Sequence, residues 1–377
     1  MSPDLVVIGG GIAGVSIGYE LAAMRRVLVV EAEPTLAVHS TARSAATYIP
    51  GHGVPAVRAL ITASGPRFAL LAGELDAPPL LTPRPVLWAA FDDVGESALE
   101  LLLAERAGEP DAPVPVDAAE TVRRCPVLRP AVVRGSGLTE ASADVDAMAL
   151  HQAYVRGLRR RGGAVRSDAA VTGLARTGSG WRVRIGGTDH VDVPDVVNAA
   201  GAWADGLAAL AGVRPIGLRP LRRTIALARV PEPERLRPPD GSALPMVIEV
   251  GERFYFKAEP GHLLVSPGDE TPAEPGDARP ADLDVALALE RVEAVTSLGL
   301  RSIQTAWAGL RSFVPDRGPV VGSWPEHPGF HFFAGQGGSG IESAPALAVL
   351  GAAMITGGPL PADVCVDPDL VSTSRLM

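Results

Sequence analysis

Three glycines, Gly9, Gly11 and Gly14, sit between the apolar run Leu5 to Ile8 and the helical pattern VSIGYELAAM, and the chain then returns through RVLVV to Glu31. Continuous apolar runs on either side of a helix suit parallel strands buried on both faces, so residues 5–31 are predicted to form a βαβ unit. Each glycine has a task there. Gly9 allows the tight turn, Gly11 lets the backbone approach a pyrophosphate, and Gly14 lets the helix pack on the strand with its N-terminus toward phosphate. Ile12 and Ala13 complete the loop. Glu31, followed by Ala32, can accept from a ribose hydroxyl, which points to a dinucleotide whose ribose carries no extra phosphate.

One such unit does not account for 377 residues, a length that exceeds the usual single core and predicts two structural units. With 34 Lys and Arg against 43 Asp and Glu, the net charge of −9 gives a nucleic-acid backbone no general attraction. Cys125 and Cys365 are far apart and lack metal-ligand spacing, so neither a disulfide framework nor a metal site is expected. The opening MSPD runs straight into a strand with no basic leader, and no apolar span of membrane length occurs; a cytoplasmic protein is expected.

Polar, turn-rich sequence fills Pro34 to Gly53, and helical patterns and short strands broken by prolines follow to Glu140. Asp146 is a good N-cap for the helix AMALHQAYVRGLRR. Three strands, 169–175, 181–185 and 191–197, are predicted as a meander leading into Asn198. Residues 219–300 read mainly as strands and close with the helix DLDVALALERVEAV; a strand, a glycine turn and a helix end the chain. Glycine turns at both ends with β-rich sequence between them predict interleaved units. The fold class is α/β and α+β: a Rossmann-like cofactor domain from 1–45, 142–215 and 308–377, and a substrate domain on a mainly antiparallel sheet from 46–141 and 216–307.

Three further segments favour FAD over NAD. His39-Ser-Thr-Ala-Arg-Ser44 follows the second strand and offers Ser40, Arg43 and Ser44, with Ala45 and Ala46 next. Asn198-Ala-Ala-Gly201-Ala-Trp203 offers Ala200, Gly201 and Trp203 after an apolar strand, and Val171 belongs to the same side. Gly335-Gln-Gly-Gly-Ser-Gly340 offers Gln336, Gly337, Gly338, Ser339, Gly340 and Ile341 at the start of a helix, which suits the negative charge of a reduced flavin.

Together with ALHQAYVRGLRR, LAGVRPIGLRPLRR, RFYFKAEPGHLLVSPGDE and TAWAGLRSF, these segments make the chain resemble the glycine oxidase, sarcosine oxidase and D-amino acid oxidase superfamily over nearly its whole length, with the D-arginine-oxidising members nearest. The resemblance implies an FAD domain beside a sheet that roofs the flavin. It also implies that Arg311 grips a substrate carboxylate, with Arg223 and Tyr255 completing the cage, and that the Gly338 carbonyl faces the substrate amine. A guanidinium fork suits a carboxylate because two parallel hydrogen bonds orient the Cα hydrogen.

The D-arginine-oxidising relatives place an acid where this chain has Val86. Thr47 and His52 replace a histidine and a tyrosine, and Met246 and Ile248 keep the roof apolar, so the resemblance implies a neutral or apolar substrate. Gly309 stands near the position where sarcosine-oxidising relatives attach flavin through cysteine, so FAD is expected to be non-covalent. The expected activity is oxidation of a Cα–N bond by hydride transfer and imine hydrolysis, with a neutral or apolar D-amino acid, glycine or an N-substituted glycine as substrate and oxygen or another acceptor as oxidant. An NAD-linked dehydrogenase or a flavin-binding protein without turnover is the competing reading.

Overall fold

The computed structural model describes residues 2–238 and 241–377. Strand Leu5–Ile8, helix Ile12–Leu21 and strand Val27–Val30 form the expected βαβ unit, with Leu5 beside Val27 and Ile8 beside Val30 in parallel register. Every residue of the first strand is buried, which explains the absence of polar alternation. A six-stranded sheet grows around this pair in the order 320–323, 330–334, 195–198, 5–8, 27–30 and 164–166. Its edge strand Val320–Ser323 is antiparallel to its neighbour, and the other pairings are parallel.

Both faces of this sheet are covered. Helices Ile12–Leu21, Ala147–Arg160 and Ala344–Thr356 pack on one through Ile17, Leu150, Tyr154, Leu347 and Leu350. Asp146 caps the second of these helices by accepting from the Ala149 N–H at 2.8 Å. The opposite face meets an antiparallel meander, Val171–Thr177, Gly180–Ile185 and Asp189–Val193, through Trp181, Val183, Phe330 and Phe332. The single strand expected over 191–197 is two. Pro194, which has no N–H to donate to a ladder, separates the end of the meander from strand Asp195–Asn198 of the central sheet.

A second, nine-stranded sheet runs in the order 271–272, 219–229, 262–266, 255–259, 246–249, 86–90, 135–139 and 114–117, with Ile303–Phe313 along the other edge of Arg219–Arg229. It is antiparallel except where Val86–Ala90 meets Met246–Glu249. Alternate residues divide its two faces, as a period of two demands. Leu87, Ala226, Val247, Phe256, Leu263 and Val265 pack against helix Asp282–Val295 through Ala288 and Val292. Val86, Trp88, Ile225, Met246, Ile248, Tyr255 and Leu264 form a separate cluster on the opposite face. Among the described residues no helix is long and apolar enough to cross a membrane, and no cluster of three or more His, Cys, Asp or Glu is placed to hold a metal.

A cavity with a glycine end and an arginine end

One cavity of about 680 Å³ runs from the glycine loop at the head of helix Ile12–Leu21 to the roof formed by Ile225, Met246, Ile248 and Tyr255. At the first end it is lined by Gly9, Gly11, Ile12, Ala13, Glu31, Ala32, Ser40, Arg43 and Ser44, with Val171, Ala200, Gly201 and Trp203 along its side. Gly14 lies behind this surface. A Cβ there would stand 1.8 Å from the Gly9 carbonyl oxygen, so the helix can seat on the turn only because position 14 is glycine.

The helix begins at Gly11 without a side-chain cap and with no acid in its first turn, which leaves the positive end of its dipole open to the cavity. Glu31 braces the loop by accepting from the Gly10 N–H at 2.6 Å and the Glu33 N–H at 3.0 Å. Thr41 accepts from the Ile12 N–H at 3.0 Å, and buried His151 bonds the Gly10 carbonyl through Nε2 at 2.8 Å. Burial holds the His151 pKa below the usual imidazole range, although the Gly10 carbonyl favours the charged ring. A helix N-terminus with no acid in its first turn, an acid at the end of the second strand and a long cavity with small-residue walls fit FAD. Arg43 has a different part from that of a phosphate ligand: its guanidinium donates to the carbonyls of Val38, Ala278 and Ala308 and pairs with Asp277 at 2.5 Å, tying the polar turn to the long strand of the roof.

At the other end, strands Arg219–Arg229 and Ile303–Phe313 place Leu221 opposite Arg311 and Arg223 opposite Gly309, so the two arginines are diagonal neighbours on one face. Arg223 donates from Nε to the Asp269 carbonyl at 2.8 Å, and its Nη2 lies 3.5 Å from Glu270. Arg311 Nη1 is 3.7 Å from the same carboxylate and is buried without a hydrogen-bond partner. Burial and the nearby Arg223 charge bring the Arg311 pKa down to about 10. The Tyr255 ring stands 6.0 Å from the Arg223 guanidinium carbon. Gly338 borders this pair so closely that a Cβ there would lie 1.8 Å from Arg311 Nη2.

Thr47, His52, Met246 and Ile248 also line the cavity, and Thr47 Oγ1 donates to the Met246 sulfur at 3.5 Å. Gly309, Ala45, Ala46, Gln336, Gly337, Gly340 and Ile341 complete the predicted contacts that reach it. Val86 and Ser339 are buried but do not line it. Strand Val86–Ala90 lies one strand beyond Met246–Glu249, which puts Val86 in the apolar layer at the side of the roof. Cys125 lies in the core on the far face of the large sheet and Cys365 on the surface, both away from the cavity.

Two acids at the arginine end were not among the residues expected from sequence. Glu252 and Glu342 flank His52, with Oε1 atoms 3.5 Å from its Nε2 and Nδ1 respectively. Burial disfavours the charged ring, but the two carboxylates outweigh it and push the His52 pKa up to about 9. His52, helped by Arg311 and Arg223, in turn holds Glu252 at about 2. Glu342 also accepts from the Ile49 N–H at 3.0 Å, and Arg106 Nη1 donates to the Gly51 carbonyl at 2.5 Å, so the loop carrying His52 is fixed on both sides. Glu342 was within reach of sequence reasoning, two residues past the glycine turn. Glu252 sits at a hairpin tip with no local pattern to mark it.

Comparison with known proteins agrees with this geometry. A family model described as DAO, FAD dependent oxidoreductase, matches residues 4–354. The chain is 26% identical to glycine oxidase of Pseudomonas putida over 98% of this chain and 97% of that protein. It is 25% identical to FAD-dependent oxidoreductase domain-containing protein 1 of Bos taurus over 94% of this chain and 81% of that protein. Among solved structures, glycine oxidase from Geobacillus kaustophilus superposes with a TM-score of 0.86 at 21% identity over 99% of both chains, and L-proline dehydrogenase from P. horikoshii with 0.83 at 21% over 96% of both.

Proposed function

The chain belongs to the family of FAD-dependent oxidoreductases, and from that premise we propose that it oxidises the Cα–N bond of a neutral or apolar D-amino acid, glycine or an N-substituted glycine. The observation that carries this reading is the buried Nη1 of Arg311, which has no hydrogen-bond partner, beside Arg223 and Tyr255 and below an apolar roof. A buried donor without a partner costs free energy that a bound carboxylate would recover.

Gly9, Gly11, Ala13, Glu31 and the 335–341 turn would hold FAD, which when bound supplies the acceptor for a hydride leaving Cα. Arg311 and Arg223 would grip the substrate carboxylate and so fix the direction of the Cα hydrogen. Tyr255 would close the cage, and the Gly338 carbonyl would accept a hydrogen bond from the amine and so fix the direction of its nitrogen. Met246, Ile248, Ile225 and Ile49 would enclose an uncharged substituent and keep water from the reacting bond. The imine product hydrolyses in water without a protein base. Oxygen or another electron acceptor would complete turnover.

The experiment is anaerobic mixing of the yellow holoprotein with a panel of D-amino acids, glycine and N-alkylglycines, followed by flavin absorbance. Bleaching by members of the panel supports the reading. Bleaching by D-amino acids but not by N-alkylglycines, or the reverse, separates its two branches. A flavin that stays oxidised with every member refutes it.

A further inference from the structure

Lys257 is the sole lysine among the 34 basic residues of this chain, and it is buried. A sequence that uses arginine at every other basic position keeps an ammonium at one interior point, and the surroundings of that point give a reason. Lys257 stands two residues after Tyr255, on the same face of strand Tyr255–Glu259. Its Nζ donates to the Ala45 carbonyl at 2.7 Å and to Asp144 Oδ1 at 2.9 Å, with Glu259 Oε1 at 3.4 Å. Three oxygens around one nitrogen match the three N–H bonds of an ammonium, whereas a guanidinium spreads its donors in a plane and needs more room. Asp144 gives its other oxygen to Arg84 Nε at 2.6 Å, and Arg84 Nη1 reaches the Leu244 carbonyl at 2.7 Å. Two cations and two carboxylates therefore balance within the cluster, as burial requires.

What this cluster holds is a wall of the cavity. Ala45, Ala46 and Thr47 line it where the glycine end meets the arginine end. Ala46 has φ of 49°, a left-handed conformation that costs a residue with a Cβ, so the segment does not keep its shape by local preference. It is held from outside. The Ala46 N–H donates to Ser44 Oγ at 2.9 Å, the Ala46 carbonyl accepts from the Val145 N–H at 2.8 Å, and the Ala45 carbonyl is the one that Lys257 takes. Asp144 lies opposite Thr47 in a two-residue ladder, so Lys257 grips both strands at once.

We propose that Lys257 is a positioning residue for the oxidation described above: its ammonium fixes the Ala45–Thr47 wall, and this wall sets how the cavity holds FAD against the substrate. The inference rests on the assignment of this cavity to FAD and an amino-acid-like substrate. Arginine cannot take its place, although the charge would be kept.

The test is titration of apoprotein with FAD, followed by quenching of flavin fluorescence, for wild type, Lys257→Met and Lys257→Arg. Asp144 keeps Arg84 in both variants and Glu259, which loses Lys257 in the methionine variant, is a third exposed and can be solvated, so folding is expected to survive. Both variants should raise the Kd for FAD tenfold or more. Val292→Ala, a cavity-forming change in the core on the far face of the large sheet, should lower Tm and leave that Kd within twofold, which separates positioning from general loss of stability. Wild type labelled with [15Nζ]lysine should give one ammonium resonance, and adding FAD should shift it; this readout needs no variant. Binding of FAD within twofold of wild type by either Lys257 variant, or an ammonium resonance unmoved by FAD, overturns the proposal. Failure of every amino acid to bleach the wild-type flavin would count against the substrate reading alone, because the titration and the resonance do not depend on turnover.

Discussion

Arg223 and Arg311 face the cavity as diagonal neighbours, and one carboxylate, Glu270, lies 3.5 and 3.7 Å from their respective Nη2 and Nη1 atoms. Glu270 is itself pinned by Arg317 at 2.8 Å and cannot turn fully toward either. The other acid near the pair, Glu252, is taken by His52, and Glu270 is shared with Arg317, so the two arginines keep positive charge to spare at a desolvated site, which is the electrostatic basis for taking up a carboxylate.

Arg311→Lys should therefore keep the flavin and lose grip on the substrate. A point ammonium cannot supply two parallel hydrogen bonds, and the loss should be on the order of 1.5–3 kcal/mol, or roughly 10- to 150-fold in kcat/KM. Single-turnover flavin reduction over a range of substrate concentrations measures it; an unchanged rate at low substrate would remove Arg311 from the cage.

Gly338→Ala should have a similar effect for a steric reason. The added methyl occupies the place of Arg311 Nη2, so either the guanidinium or the turn must move. FAD binding is expected to persist while KM rises at least tenfold, and substrate titration of the purified yellow protein provides the check.

Gly11→Val and Gly14→Ala should differ in kind. A Cβ at Gly11 meets only Thr41 Oγ1, at 3.2 Å, so the branches of valine would extend into space meant for pyrophosphate and give a folded protein without flavin. A Cβ at Gly14 strikes backbone, so that variant should lose the loop itself and much of its solubility. Circular dichroism with flavin absorbance distinguishes the two outcomes.

His52 should make stability fall at alkaline pH. An imidazole of ordinary pKa 6.5 is held at about 9 in the fold, so its contribution is fully present below 6.5 and is lost as pH rises through about 9. His52→Gln should flatten the decline of Tm between about pH 7 and 10. Parallel melting curves for wild type and variant would contradict the assignment.

Val86→Glu should destabilise the protein instead of changing its substrate. The new carboxylate would enter a fully buried apolar cluster with no cation beside it, at a cost on the order of 3–5 kcal/mol. Chemical denaturation reads this directly, and a variant as stable as wild type would place position 86 at the cavity after all.

The glycine loop was legible in the sequence because its demands are local: three spacings, one strand, one helix and an acid about twenty residues on. The juxtaposition of Arg223 and Arg311 was legible only through resemblance, since the two meet by the pairing of strands nearly 90 residues apart. Glu252 and His52 are separated by 200 residues, and no periodicity relates a hairpin tip to a loop before a helix. His151 read as one more position on an amphipathic helix, and its bond to Gly10 depends on how that helix crosses the first one. Val86 shows the reverse limit. Short strands are legible in its stretch of sequence, but a position one strand farther from the cavity cannot be told from a pocket wall until the order of the sheet is known.

The central sheet also bears on how the molecule is made. Strand Phe330–Ala334 sits between Val320–Ser323 and Asp195–Asn198, and the latter lies beside Leu5–Ile8. Strand Leu5–Ile8 has Val27–Val30 at hand but must wait for Asp195–Asn198, synthesised far later, and the parallel sheet is not complete until residue 334 has emerged. Such non-local pairing is slow, and it exposes apolar strand edges in the interval. Chains stalled before residue 334 should stay protease-sensitive in this sheet and should depend on chaperones, with resistance there arriving only once Phe330–Ala334 has emerged.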